Sequence, residues 1–243
     1  MARDSMNNSD AHGPKAPSAA TQPIAPRRLL LIAAVATSVT AGVLHLGGET
    51  REDGVSSFDR AILLALRVPG HLNTPIGPPE LKMVALDLTA LGGWTVLTLV
   101  IFLVAGYLAV LGERRLALLA MIGTSSGALL SETLKTLFTR PRPELVVHLV
   151  PVSSYSYPSG HAMNAAIVYL TLATIALPAA PSRFARAYLV TAALLLVGAI
   201  GLTRLYLGVH WPTDVLAGWA AGTGWAYFWA QLLKAWPNRV VRG

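Results

Sequence analysis

The stretch Thr203-Arg204-Leu205-Tyr206-Leu207-Gly208-Val209-His210-Trp211-Pro212-Thr213-Asp214 decides how the rest of the chain is read. It joins two long apolar runs, 187–206 and 213–233, and sets an arginine, a histidine and an aspartate at their junction. Ionisable side chains are expensive at membrane depth, so by default they mark a functional site there. The chain around them has the composition of a membrane protein: 53% of its 243 residues are hydrophobic and 13% are charged, against about 25% charged in a soluble domain. Mean hydropathy is +0.53.

Working outward, the apolar runs predict an all-α, polytopic bundle of six transmembrane helices over 29–46, 94–111, 116–138, 161–178, 187–206 and 213–233. Each is near the roughly 20 residues needed to cross a bilayer. Trp94, Trp211 and Trp236 fall at span ends, where interfacial aromatics belong. Residues 1–27, rich in Ala, Pro, Ser and Asn, read as a disordered cytoplasmic tail, and 28–243 as one membrane domain. Arg27-Arg28 ahead of the first run also fits a late signal sequence, whose cleavage would leave five spans. In the first outer loop, 47–93, short interfacial helices are expected over 57–67 and 80–91, with turn-rich sequence at Pro69–Pro79 between them.

The chain contains no cysteine, which removes disulfides and thiol nucleophiles from consideration. The net charge of +7 is scattered between spans, as topology signals and an anionic substrate require, and nucleic acid is not the expected partner. With six spans, Arg27-Arg28, Arg114-Arg115, Arg183 with Arg186, and Lys234 with Arg239 and Arg242 all fall on one side. The loop after the first span carries acids instead: Glu49, Glu52, Asp53, Asp59, Glu80 and Asp87. The positive-inside rule then predicts a plasma (inner) membrane protein with both termini cytoplasmic.

Helix rise places the remaining polar residues. Lys135 lies about 28 Å beyond Leu116 and Arg204 about 27 Å beyond Arg186, at about 1.5 Å per residue, so both reach the extracytoplasmic end. His161 starts the fourth span there, Arg142 lies in the adjoining loop, and His210 and Asp214 flank the turn into the last span. Each has a plainer reading alone. Lys135 and Arg204 could snorkel to the headgroups, and Glu132 could pair with Lys135 one turn away. Asp214 could serve only as an acid in a first helical turn. Their meeting at one depth makes the case. Pro158-Ser159-Gly160-His161 opens a helix with Ser159 at the N-cap and Gly160 admitting an anion close to the backbone. Asp214 follows His210 by four residues, the spacing of a base and the carboxylate that orients it.

These residues resemble the three motifs of the type-2 phosphatidic acid phosphatase family. The motifs are Lys135 with Arg142-Pro143, then Pro158-Ser159-Gly160-His161, then Arg204 with His210 and Asp214. One departure stands out: a serine often precedes the arginine of the third motif, and here Thr203 keeps only the hydroxyl. The resemblance implies that Lys135, Arg142, Arg204, Ser159 and Gly160 bind phosphate. It also implies that His210 is the nucleophile of a phosphohistidine intermediate, oriented by Asp214. His161 would then protonate the leaving oxygen and activate water. No metal or cofactor is implied, and no histidine–acid cluster has metal-ligand spacing. Similar enzymes act on phosphatidic acid, phosphatidylglycerophosphate, lysophosphatidic acid or undecaprenyl pyrophosphate. The competing expectations are a phosphotransferase using a polyprenyl pyrophosphate donor, a soluble vanadate-dependent haloperoxidase sharing the pocket, and a non-enzymatic anion transporter. His148, His45, His71 and His12 read as loop, interfacial or tail histidines, and no sequence feature sets an oligomeric state.

Overall fold

A computed structural model describes residues 37–45 and 55–235. The expected tail, half of the first span, the acids Glu49, Glu52 and Asp53, and Trp236, Arg239 and Arg242 lie outside the described residues. The chain runs through α1 (helical over 37–45), α2 (Ser57–Ala65), β1 (Arg67–Val68), β2 (His71–Pro75), α3 (Pro79–Ala90) and α4 (Trp94–Val110). It continues through α5 (Arg114–Phe138), α6 (Gly160–Ala176, prolonged by a 3-10 turn to Ala179), α7 (Arg183–Tyr206) and α8 (Pro212–Ala235).

Local chemistry explains the helix ends. Ser56, one residue before the expected start, caps α2 by accepting from Asp59 N at 3.0 Å. Ser182 caps α7 by accepting from Ala185 N at 3.1 Å. Proline opens α3 and α8, where its missing N–H costs nothing. The purely helical expectation needs one correction, since β1, at the end of the expected helix 57–67, pairs antiparallel with β2, in the segment read as turns. Pro69-Gly70 makes the turn, with Gly70 at φ 77, and Pro followed by a left-handed Gly suits a type II turn. The strands escape sequence reading because β2 shows no apolar alternation and is exposed along most of its length.

In the bundle α6 is central and touches α4, α5, α7 and α8, the last most closely. Gly218 and Gly222 of α8 make this approach possible. A Cβ on Gly222 would stand 2.4 Å from Met163 O and 2.8 Å from the Ala166 methyl. Small residues in register let membrane helices gain backbone-to-backbone contact that bulky side chains forbid. Val39 and Val43 of α1 pack against Phe138, Tyr157, Met163 and Ala217, and the Tyr157 hydroxyl donates to Val43 O at 2.5 Å.

Among the described residues, three helices are long and apolar enough to cross a bilayer: Arg114–Phe138, Gly160–Ala179 and Arg183–Tyr206. The pair α3 and α4, bent by 45°, makes a fourth if it is one span. By itself α4 has 17 residues. The 24-residue α8 has the length, but its glycines and tryptophans lower its hydropathy while serving its packing.

Candidate active site

One end of the bundle gathers the last turns of α5 and α7, the first turns of α6 and α8, and the loops between them. Lys135 and Arg204 occupy those last turns, and Asp214 the first turn of α8. Neither cation snorkels, since Lys135 is 8% exposed and Arg204 4%. Lys135 pairs with Glu132 at 3.5 Å, as the i,i+3 spacing predicts, and also donates to the Ser154 hydroxyl at 3.3 Å. Arg204 Nη1 donates to Thr89 Oγ1 at 2.8 Å, while its buried Nε has no partner. His161 lies within electrostatic reach of Arg204, His210, Lys135 and Arg142.

Arg142 spans the site. Its Nε donates to Ser154 O at 2.7 Å, and its Nη1 donates to Val209 O at 2.6 Å and to His210 Nε2 at 3.3 Å. Arginine carries donors only, so Nε2 is the unprotonated nitrogen and Nδ1 carries the proton. Nδ1 faces Asp214 Oδ2 at 3.4 Å, a long contact of the kind that tightens when substrate is bound. Burial pushes the His210 imidazole down to about 4, against the opposing pull of Asp214. The buried ring is therefore neutral at neutral pH, with its Nε2 lone pair facing Arg142. Burial also lowers the Arg142 guanidinium from its usual value.

Ser159 precedes α6 as expected, but its hydroxyl makes no cap hydrogen bond and is a buried oxygen without a partner. A buried polar atom left unpaired is costly, and a phosphate oxygen would satisfy it. At Gly160 a Cβ would stand 3.1 Å from Lys135 Nζ, so a side chain there would shift the ammonium by a few tenths of an ångström. Thr203 turns back on its own helix, where Oγ1 donates to Ile200 O at 2.6 Å.

Several partners were not foreseen from the sequence. Arg140, two residues before Arg142, places Nη1 2.5 Å from Asp214 Oδ1 and Nη2 2.8 Å from Asp59 Oδ2. The Ser156 hydroxyl donates to Asp214 Oδ2 in a short bond, and Trp211 N donates to the same oxygen at 2.8 Å. Trp211, expected as an interfacial aromatic, is instead 3% exposed, with Nε1 donating to Pro141 O at 3.1 Å. Its burial follows from its place in the turn between α7 and α8, where its ring lies 5.3 Å from the Arg140 guanidinium. Arg67, just after α2, donates to Tyr206 O at 3.1 Å and steadies that turn from outside. His148 contacts Pro143 O at 2.7 Å within its loop. The Arg-Pro repeat at 140–143 was the available signal for Arg140. For Asp59 and Thr89 there was none, because their partners lie more than 80 residues away.

A neutral histidine with its lone pair among buried cations and an unsatisfied hydroxyl belongs to an enzyme that works on phosphate, embedded in a helical membrane bundle. The chain is a member of the PAP2 superfamily, whose family model matches residues 114–237, the whole of α5 to α8. Phosphatidylglycerophosphatase B of Bacillus subtilis is 33% identical over 181 residues, covering 74% of this chain and 85% of that protein. An undecaprenyl-diphosphatase of Sulfolobus acidocaldarius is 30% identical over 133 residues, covering 53% of this chain and 60% of that protein. Among solved structures, a transmembrane PAP2-type phosphatidylglycerolphosphate phosphatase from Bacillus subtilis superposes with a TM-score of 0.75 at 28% identity. That match covers 84% of this chain and 98% of the other. Aquifex aeolicus LpxE superposes with a TM-score of 0.51 at 25% identity, covering 71% and 92%. The protein is an enzyme, a lipid phosphatase.

Proposed function

We propose that this protein removes a phosphate from a phosphomonoester or pyrophosphate of a membrane lipid, at the extracytoplasmic face, through a phosphohistidine on His210. The observation that carries the reading is the setting of His210, with Nδ1 toward Asp214 and Nε2 against Arg142. Nε2 attacks phosphorus, and the bond to the leaving oxygen breaks as His161, protonated once the bound phosphate offsets the surrounding cations, gives that oxygen a proton. His161 then takes a proton from water, which attacks the phosphohistidine, releases phosphate and regenerates His210. Lys135, Arg142 and Arg204 offset the negative charge spread over the equatorial oxygens, with Ser159 and the Gly160 backbone completing the cradle. Phosphoryl transfer depends mainly on such positioning and charge stabilisation, so no metal has to enter this scheme.

Six spans, with both termini cytoplasmic, complete the proposal. The arginines at the inner ends of α5 and α7 and the acids of the loop before α3 support this orientation. The candidate substrates are phosphatidic acid, phosphatidylglycerophosphate and undecaprenyl pyrophosphate, the last two supported by the names of two relatives.

The test is phosphate release from these three lipids by purified protein in detergent with EDTA present. Wild type is expected to hydrolyse at least one, and His210→Ala to lose about 10³-fold or more of that rate. Comparable rates in the two proteins would overturn the nucleophile assignment. Phosphate appearing on an added acceptor instead of in solution would favour phosphotransfer.

A further inference from the structure

We infer that Asp59 and Arg140 are positioning residues of the catalytic machinery, a buried counter-ion pair that keeps Asp214 ionised and in one orientation against His210. The inference deepens the proposed function and rests on it. It also makes α2 part of the active site rather than a helix lying beside it.

The geometry is closed on every side. Asp214 Oδ1 takes Arg140 Nη1 at 2.5 Å, and Oδ2 takes Trp211 N, the Ser156 hydroxyl and His210 Nδ1. A carboxylate facing only donors stays ionised. Arg140 alone would cancel its charge and weaken its hold on the imidazole proton. Asp59 prevents this by taking Arg140 Nη2 at 2.8 Å, so two carboxylates share one guanidinium and the trio keeps a formal charge of −1. Asp59 also holds the backbone of the catalytic turn. Its Oδ1 accepts from Thr213 N at 2.9 Å and its Oδ2 from Thr213 Oγ1 at 2.8 Å, one residue before Asp214. Arg140 Nη1 in turn donates to Thr213 Oγ1 at 2.8 Å.

Fold stability does not account for such a trio. Asp59 and Asp214 are both fully buried and Arg140 is 3% exposed, and buried ion clusters are often no more stabilising than well-packed apolar residues. Their position behind the nucleophile's aspartate accounts for them better. Protonation or rotation of Asp214 would release Nδ1–H and lose the tautomer that exposes Nε2.

The experiment compares Asp59→Asn, Arg140→Gln and the double variant in the full chain. It measures phosphate release from whichever lipid of the panel wild type hydrolyses fastest, with rates expressed per vanadate-binding site so that unfolded protein does not count. Losing the orienting aspartate of a catalytic triad costs about 10⁴-fold. Residues acting through it should cost less, about 10- to 100-fold in kcat, with KM and vanadate affinity within about twofold of wild type. The double variant restores the −1 charge and is expected to recover part of the kcat lost in Asp59→Asn. Wild-type kcat in both single variants would overturn the inference. So would a double variant no better than the worse single, which would mark the pair as structural. If neither single variant folds while the double folds with wild-type kcat, the pair only holds the fold together. His210→Ala in the same series separates the two readings, because phosphate release by that variant would refute the proposed function itself.

Discussion

His210 carries the account at the scale of single residues. Its folded value of about 4 lies below the ordinary histidine value of 6.5. As pH falls, the unfolded chain therefore binds the proton first. The stability associated with the neutral buried ring is complete above 6.5 and is lost as pH falls through about 4. The melting temperature of wild type relative to His210→Ala should accordingly decline between pH 7 and pH 4, and an advantage that grows over that interval would contradict the buried, neutral ring. Gly160 offers a second prediction. Gly160→Val drives a side chain into the space of Lys135 Nζ and should raise KM several-fold more than it lowers kcat, because the ammonium binds phosphate before and during the reaction. The residues of the three motifs were legible because each motif keeps its members within ten positions, at one helix end and its adjoining turn. Asp59, Thr89 and Ser156 were not. Their bonds join α2 to α8, α3 to α7, and a loop to α8, and no local pattern encodes a contact made only when the bundle closes.

At the scale of elements, α6 and α8 form the pair that brings His161 and Ser159 beside His210 and Asp214. Their contact rests on Gly218 and Gly222, where any side chain meets the α6 backbone. Gly222→Val should cost about 1–3 kcal/mol through overpacking and lower kcat as α6 is pushed from α8, which thermal unfolding and turnover of the same preparation would show together. Unchanged stability would mean that the helices are less tightly apposed. Helix boundaries followed from sequence to within a few residues at α3, α5, α7 and α8, because proline, glycine and serine mark those ends. The hairpin β1–β2 did not, having two short strands and no alternation. The role of α2 was hidden as well: its apolar pattern suits an interfacial helix, and only the packed structure shows Asp59 facing inward.

At the scale of the whole molecule, the sequence announced a membrane bundle through composition alone. The span count is less direct, because α8 exchanges hydropathy for the glycines and tryptophans that pack it. Orientation can be tested cleanly because the chain has no cysteine of its own. Glu144→Cys, exposed beside the site, should react with a membrane-impermeant maleimide in intact cells, and Ala179→Cys, at the opposite end of α6, only after permeabilisation. The reverse pattern would place the site on the cytoplasmic face. The proposed chemistry comes down to one covalent bond, between phosphorus and His210. The most direct measurement is a rapid alkaline quench of wild type turning over a ³²P-labelled lipid phosphate, followed by peptide mapping of the retained label. The account predicts phosphate on the peptide bearing His210 and none in His210→Ala. Label on another residue, or rapid turnover with none retained, would contradict it.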